Sequence, residues 1–237
     1  MNTWTERPWL GFDTETTGVD ATADRLVTAA LVDWTGSSGS TENSHVTTWL
    51  ADPGVPIPER ASQIHGISTD YAREHGRPIT EVLDQVAQTI VEHWMEQIPV
   101  VAFNAVFDIT LLNCELKRHD LSSLEERMGG EIGPILDPLV LDRMYDRYRR
   151  GKRTLSDMVT VYDVALSPHA HTADADVLMT LQVLAALVAK YPQIAQTSLE
   201  DLQYQQAEGH RRWAENFEQF LRRKGRPDHI SPAWPQL

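Results

Sequence analysis

The sequence is poor in cysteine and in positive charge, and it has no long apolar run. Cys114 is the single cysteine among 237 residues, which excludes an internal disulfide and a cysteine-built zinc site and fits a reducing compartment. Lysine and arginine total 21 against 34 aspartates and glutamates, a net charge of −13, so a polybasic coat for nucleic acid or membrane is excluded. No stretch approaches the ~18 uninterrupted apolar residues of a membrane span. The first ten residues lack the basic-then-apolar pattern of a secretory leader, so the expected address is the cytoplasm. Internal repeats and low-complexity tracts are also missing. What remains, 41% hydrophobic and 23% charged, fits a globular chain long enough to bury a sizeable core.

Three stretches come first with β-like character: Trp9 to Thr14, Arg25 to Trp34 and Ser44 to Leu50. Gly, Asp and Ser separate them, which predicts an antiparallel meander. The period then changes, because Ile79, Val82, Val86, Ile90 and Trp94 recur at helical spacing. Pro99 to Phe103 reads as a short buried strand, followed by a helix over Asp108 to Arg118. Further segments follow at Ile135-Leu136, Leu139 to Tyr148, Thr154 to Tyr162 and Asp176 to Tyr191. Later strands need helical crossovers to run parallel, so the expected fold is α/β, a mixed sheet flanked by helices. Ser198 to Asp201 resembles a capping box that opens a last helix, with Leu199, Leu202, Trp213, Phe217, Phe220 and Leu221 as its inward stripe. We expect residues 1–191 to form the main domain and 192–237 a helical extension packed on it.

Three acidic elements carry chemistry. Asp13 and Glu15 lie two apart in a strand, so both carboxylates leave the same face. Like charges this close are tolerated when one is protonated or a hard cation such as Mg²⁺ or Mn²⁺ lies between them; the plain alternative is a solvated acidic strand end. Asp108 follows a buried strand and begins a helix, where the helix dipole favours a negative group; a plain N-cap would look the same. Pro168 to Val177 places His169 and His171 just before a helix with Asp174 and Asp176 in its first turn. A histidine there can accept a proton from water, and a first-turn acid can ligate a metal.

Together these elements resemble the DEDDh-type 3′→5′ exonucleases, relatives of the proofreading epsilon subunit of bacterial DNA polymerase III, RNase T and oligoribonuclease. Phe12-Asp-Thr-Glu-Thr-Thr-Gly18 is similar to the first motif, Asn104-Ala-Val-Phe-Asp108 to the second and His171-Thr-Ala-Asp-Ala-Asp176 to the third. Pro56 to Pro58, Ile64 to Ile67, Leu136 to Leu139 and Arg153 to Leu155 resemble the family's intermediate landmarks. The resemblance covers roughly residues 8 to 190. It departs at Phe103, where the family often has histidine, and the third motif has two registers, since His169 with Asp174 repeats the spacing of His171 with Asp176. The second pair is preferred, because Ala173 fills the small-residue position and Asp176 directly precedes the apolar stripe.

The resemblance implies a ribonuclease H-like fold in which Asp13, Glu15, Asp108 and Asp176 gather two divalent cations, Mg²⁺ or Mn²⁺, and His171 acts as general base. Thr16, Thr17, Gly18, His65, Gly66 and Asn104 would seat the 3′ end of single-stranded DNA or RNA, in replication or repair. A different class of function is an accessory binding module of a polymerase or repair complex; no membrane partner is expected. Cations bound to the acids would let an acidic protein hold a polyanion. Arg143, Arg147, Arg149, Arg150, Lys152 and Arg153 form a basic cluster that reads either as a backbone track or as a solvated helix end. Arg211, Arg212, Arg222, Arg223, Lys224 and Arg226 interleave with acids and are a weaker candidate. The helical spacing of Trp213, Phe217 and Phe220 points to core packing rather than to base stacking.

Overall fold

A computed structural model describes residues 4–35, 44–164, 172–226 and 228–237. The chain runs β1 (Pro8–Thr16), β2 (Leu26–Thr35), β3 (His45–Asp52), α1 (Glu59–His65), α2 (Thr69–His75), β4 (Arg77–Pro78), α3 (Ile79–Met95), β5 (Val100–Val101) and α4 (Ala105–Arg118). It continues through α5 (Leu124–Met128), β6 (Ile135–Leu136), α6 (Pro138–Tyr145), α7 (Leu155–Val161), α8 (Ala173–Lys190), α9 (Pro192–Gln196) and α10 (Leu199–Arg223). The sheet order is β4-β3-β2-β1-β5-β6. The β1–β2 and β2–β3 pairs are antiparallel, and β3–β4, β1–β5 and β5–β6 are parallel. The expected meander and the expected crossovers are therefore both present. The two short helices α1 and α2, between the meander and α3, had no counterpart in the periodicity because each is only seven residues long.

Strand alternation divides β1 between two cores. Leu10 and Phe12 join a cluster with Val86, Ile90 and Trp94 of α3 and Leu112 of α4, whereas Trp9 joins Val177, Leu181 and Leu184 of α8 on the opposite face. The α3 stripe buries Val82, Val86, Ile90 and Trp94 as its spacing predicts. The Trp94 indole N–H also donates to the Pro134 carbonyl at 3.0 Å, fastening α3 to the segment leading into β6. Truncating this fully buried ring to alanine is expected to cost about 3–5 kcal/mol.

Two features of packing place the acids. Gly11 sits under α8, where a Cβ would overlap Val177 and Leu181, so glycine lets the helix lie directly on β1. On the other side, β5 pairs with β1 only at Leu10 and Gly11. Beyond Gly11 that edge of β1 has no strand partner among the described residues, and α4 begins there.

The open side of β6 is covered by α10 rather than by a strand. Gln203 Oε1 accepts from the Ile135 N–H (2.9 Å), and Gln206 accepts from the Asp137 N–H (2.7 Å) while donating to the Ile135 carbonyl (3.0 Å). Side-chain amides thus satisfy backbone groups that an edge would leave bare. The buried face of α10 consists of Leu202, Gln206, His210, Ala214 and Leu221. Trp213 and Phe217 are half-buried and Phe220 is 45% exposed, so these three rings belong to neither core, contrary to the packing expected from their spacing. The stripe follows a four-residue step, and the rings fall to one side of it.

Candidate active site

Asp13 and Glu15 leave the α8 face of β1, as their two-residue spacing requires, and Asp176 comes down to them from the first turn of α8. Carboxylate oxygens of the three lie within 4.8 Å of one another. Asp174, the alternative in the third motif, lies outside this group and lines an adjoining cleft. His169 and His171 fall outside the described residues.

Asp108 approaches from α4, on the far side of β1. It is 3% exposed, and Thr14, which points toward α4 between the two acids, donates its hydroxyl to Asp108 Oδ1 at 2.6 Å. The helix starts three residues before Asp108, so this acid is not the N-cap. Asn104 occupies that place with φ +62°, a left-handed conformation asparagine tolerates well, and its side chain is exposed.

Asp137 performs the capping of two helices, only one of which is evident from its place in the sequence. Its buried carboxylate accepts from the Asn104 N–H (3.1 Å) and the Ala105 N–H (3.0 Å), closing the start of α4, and from the Leu139 N–H (2.9 Å), closing the start of α6. The Asp-Pro pair announces a cap on α6. Nothing local announces a cap on α4, because the contact spans 33 residues. The Gln206 bond to the Asp137 N–H ties this double cap to α10.

Electrostatics distinguish the cluster. Burial, then the charges of Asp108, Glu15 and Asp176, hold Asp13 well above the usual carboxylate range. Burial, then Asp176 and Asp108, push Glu15 up to about 7. Burial likewise pushes Asp108 to about 7, against the Thr14 hydrogen bond that favours its ionised form. Among the described residues no lysine or arginine offsets these three carboxyls. Hard oxygen donors that converge out of water and repel one another suit a divalent cation, which would favour their ionised forms. A stability-minded interior would supply arginine here instead.

Thr16 and Thr17 are buried beyond Glu15. The Thr16 hydroxyl donates to the Gly18 carbonyl, and the Thr17 hydroxyl donates to Asp24 at 2.9 Å. A Cβ on Gly18 would collide with the Asp24 carboxylate as placed, so a larger residue there would push that side chain off Thr17. His65 ends α1, and Gly66 reverses the chain with φ +79°. The His65 Nδ1 accepts from the Ile67 N–H at 3.2 Å, and burial pulls its pKa below the ordinary histidine value. A cleft of about 260 Å³ opens beside Glu15, walled by Trp49, His65, Ile67, Tyr71 and Asp174. Its aromatic and aliphatic walls and acidic rim give it room for a flat ring next to the carboxylates. Ile67 closes the Ile64 to Ile67 landmark, whereas Trp49 and Tyr71 carried no motif signal, and only the fold brings them to this place.

The basic cluster divides in two. Arg149 and Arg153 both donate to the fully buried Asp142, at 2.8 and 2.5 Å, and the Tyr162 hydroxyl adds a third bond at 2.7 Å. Those two arginines are internal supports. Arg147 and Arg150 are exposed, and Arg143 is half-buried.

A mixed sheet in this order, with acids on its central strand and a helix-borne acid on each side of it, defines a ribonuclease H-like fold of the exonuclease type. A model of the RNase T exonuclease family matches residues 10–184, and the chain belongs to that family, the DEDDh-type 3′→5′ exonucleases. The PolC-type DNA polymerase III of Streptococcus pneumoniae is 27% identical over 180 residues, which are 76% of this chain and 11% of the polymerase. The chain therefore spans only a small part of the curated relatives it matches. The structure of Exonuclease I from Methylocaldum szegediense superposes with a TM-score of 0.62 at 21% identity, covering 79% of this chain and 42% of that one. Exonuclease I of E. coli in complex with a dT13 oligonucleotide gives a TM-score of 0.62 at 18% identity, with the same coverage of 79% and 42%. No helix among the described residues is long and apolar enough to cross a membrane.

Proposed function

We propose that the protein is a 3′→5′ exonuclease that removes nucleoside 5′-monophosphates from single-stranded DNA or RNA with two divalent cations, Mg²⁺ or Mn²⁺. The observation that carries this reading is the convergence of Asp13, Glu15 and Asp176 within 4.8 Å, with desolvated Asp108 adding its charge. Asp13, Glu15, Asp108 and Asp176 would hold the ions, which when bound supply Lewis-acid stabilisation of charge on the phosphate and its leaving oxygen. Thr14 fixes the Asp108 carboxylate toward the cluster. His171, two residues before α8 in sequence, is the group whose imidazole takes the proton from the attacking water. Thr16, Thr17, Gly18, His65, Gly66 and Asn104 form the seat of the terminal nucleotide, and the cleft walled by Trp49 and Tyr71 takes its base. The oligonucleotide held by Exonuclease I favours a single strand as substrate. The PolC relatives favour a polymerase or repair context, within the cytoplasm.

The test incubates the protein with 5′-labelled DNA and RNA oligonucleotides, with Mg²⁺, with Mn²⁺ and with EDTA. Stepwise shortening from the 3′ end that EDTA abolishes and Asp13→Asn removes is the expected result. Inertness toward both polymers under every metal condition would instead make the chain an accessory binding module.

A further inference from the structure

The last turn of α6 and the middle of α10 enclose a cleft of about 570 Å³, separate from the acidic site. Arg143, Arg147, Arg153 and Arg212 line it together with Trp213 and Asn216, and no aspartate or glutamate does. In a chain of net charge −13 this concentration of guanidinium is unusual, and the four are differently engaged. Arg153 is committed to Asp142. The Arg143 guanidinium lies 3.5 Å from the centroid of the Trp213 ring, and burial together with the Arg153 charge pushes its pKa down to about 10, against the pull of Asp137 and Asp142. Arg212 donates its Nε to the Glu208 carbonyl at 3.2 Å, while Arg147 is exposed beside the Tyr148 ring. None of Arg143, Arg147 and Arg212 forms an ion pair among the described residues.

From this cleft a ladder of rings runs along α10. Trp213 and Phe217 lie 5.3 Å apart with planes 15° from parallel, and Phe217 and Phe220 follow at 6.2 Å and 13°. Arg143 stands at one end of the ladder and Lys224 at the other, 5.8 Å from the Phe220 ring. Cations that track phosphates beside near-parallel aromatic faces that stack bases are the two components of sequence-tolerant single-strand binding. The cleft is also tied to the acidic site by hydrogen bonds, since α6 starts at the Asp137 carboxylate that closes the first turn of α4.

Resting on the exonuclease reading, we infer that the α6–α10 cleft and the ring ladder beside it bind the single strand away from its 3′ end, with phosphates on Arg143, Arg147 and Arg212 and bases on Phe217 and Phe220. An acidic peptide is a weaker match, because it has no flat groups to repeat along three successive rings.

The experiment titrates the full-length protein in EDTA against a 5′-labelled oligodeoxythymidylate of about 12 nucleotides, a length suited to one binding groove. Binding is followed by fluorescence anisotropy at several salt concentrations. Arg147→Glu with Arg212→Glu changes two exposed side chains and is expected to weaken binding at least tenfold. It should also lower the salt slope by roughly 0.7 for each phosphate no longer held, which a merely structural defect would not do. Phe220→Ala is expected to weaken binding about fivefold with little change in slope. Reversal of Arg211, which pairs with Glu208 and Glu215 on the outer side, should leave both quantities near wild type. Wild-type affinity and slope in the double variant would overturn the inference, as would a wild-type protein that binds a poly-glutamate peptide more tightly than the oligonucleotide. If the double variant binds normally while wild-type protein shortens DNA with Mg²⁺, the strand site falls and the exonuclease reading stands. Strand binding through these residues without hydrolysis under any metal would keep the strand site and discard the exonuclease reading.

Discussion

Two groups of acids occupy opposite circumstances in this molecule. Asp142 is fully buried and receives Arg149, Arg153 and the Tyr162 hydroxyl. Glu115, equally buried, is met by Arg25, Arg118 and the Leu26 N–H. Asp13, Glu15 and Asp108 receive no such cation among the described residues; burial, then neighbouring carboxylates, raises the pKa of all three, Glu15 and Asp108 to about 7. Acids of the first kind fasten elements together, and removing one leaves arginines without their counter-charge. Acids of the second kind weaken the ion-free fold, and their arrangement makes sense when the counter-charge comes from solution.

Neutralising one acid of each kind separates the two roles. Asp13→Asn is expected to lower the rate of oligonucleotide hydrolysis about a thousandfold or more, equivalent to ~4 kcal/mol of transition-state stabilisation. In EDTA its melting temperature should equal or exceed that of wild type. Asp142→Asn should do the reverse, losing roughly 2–4 kcal/mol in urea unfolding, because two half-screened arginines lose their partner. Equal destabilisation by both substitutions would erase the distinction.

Saturating divalent ion, at about a hundred times its dissociation constant, should stabilise wild type by about 2.7 kcal/mol. The same ion should have little effect on Asp13→Asn, as read by thermal melts. The pH dependence has a defined sign. Glu15 and Asp108 titrate near about 7 in the fold, against ~4 in an unfolded chain, so the folded state binds more protons between these values. In EDTA, stability should therefore fall as pH rises from about 4 to about 7 and then level off. Added Mg²⁺ should flatten that decline, since ligation favours the ionised carboxyls.

A smaller effect tests the double cap. Asp137→Ala leaves the starts of α4 and α6 without their acceptor and is expected to cost about 2 kcal/mol, roughly 1 for each cap. It should also lower the turnover number more than it changes KM, because α4 carries Asp108. Loss of stability with unchanged turnover would show that Asp108 is placed by Thr14 alone.

The antiparallel meander and the direction of Asp13 and Glu15 were legible because they follow from local alternation and turn residues, which the backbone obeys whatever surrounds it. Asp176 was legible as a first-turn acid for the same reason. The position of Asp108 was less so, since the helix begins at Ala105 and its N-cap is Asn104 in a left-handed conformation. What stayed hidden depends on contacts between distant segments: the Asp137 carboxylate reaching back to α4, the glutamines of α10 meeting β6, and the Trp49 and Tyr71 walls of the cleft. The basic cluster shows the same limit, because sequence alone could not separate Arg149 and Arg153, consumed by Asp142, from Arg143 and Arg147. The ring ladder corrects part of an expectation, since spacing identified the helix and put Leu202 and Leu221 inside, but Trp213, Phe217 and Phe220 fall outside the cores.

Gln203 and Gln206 have a further consequence for the sheet as a whole. Because two amides already occupy the hydrogen-bonding positions that a neighbouring molecule would use, the parallel end of the sheet cannot act as a template for another chain. Replacing both with leucine would keep the helix and most of its volume yet uncover the Ile135 and Asp137 amides. Self-association growing with protein concentration, visible by light scattering, is the expected sign that this stopper has been pulled.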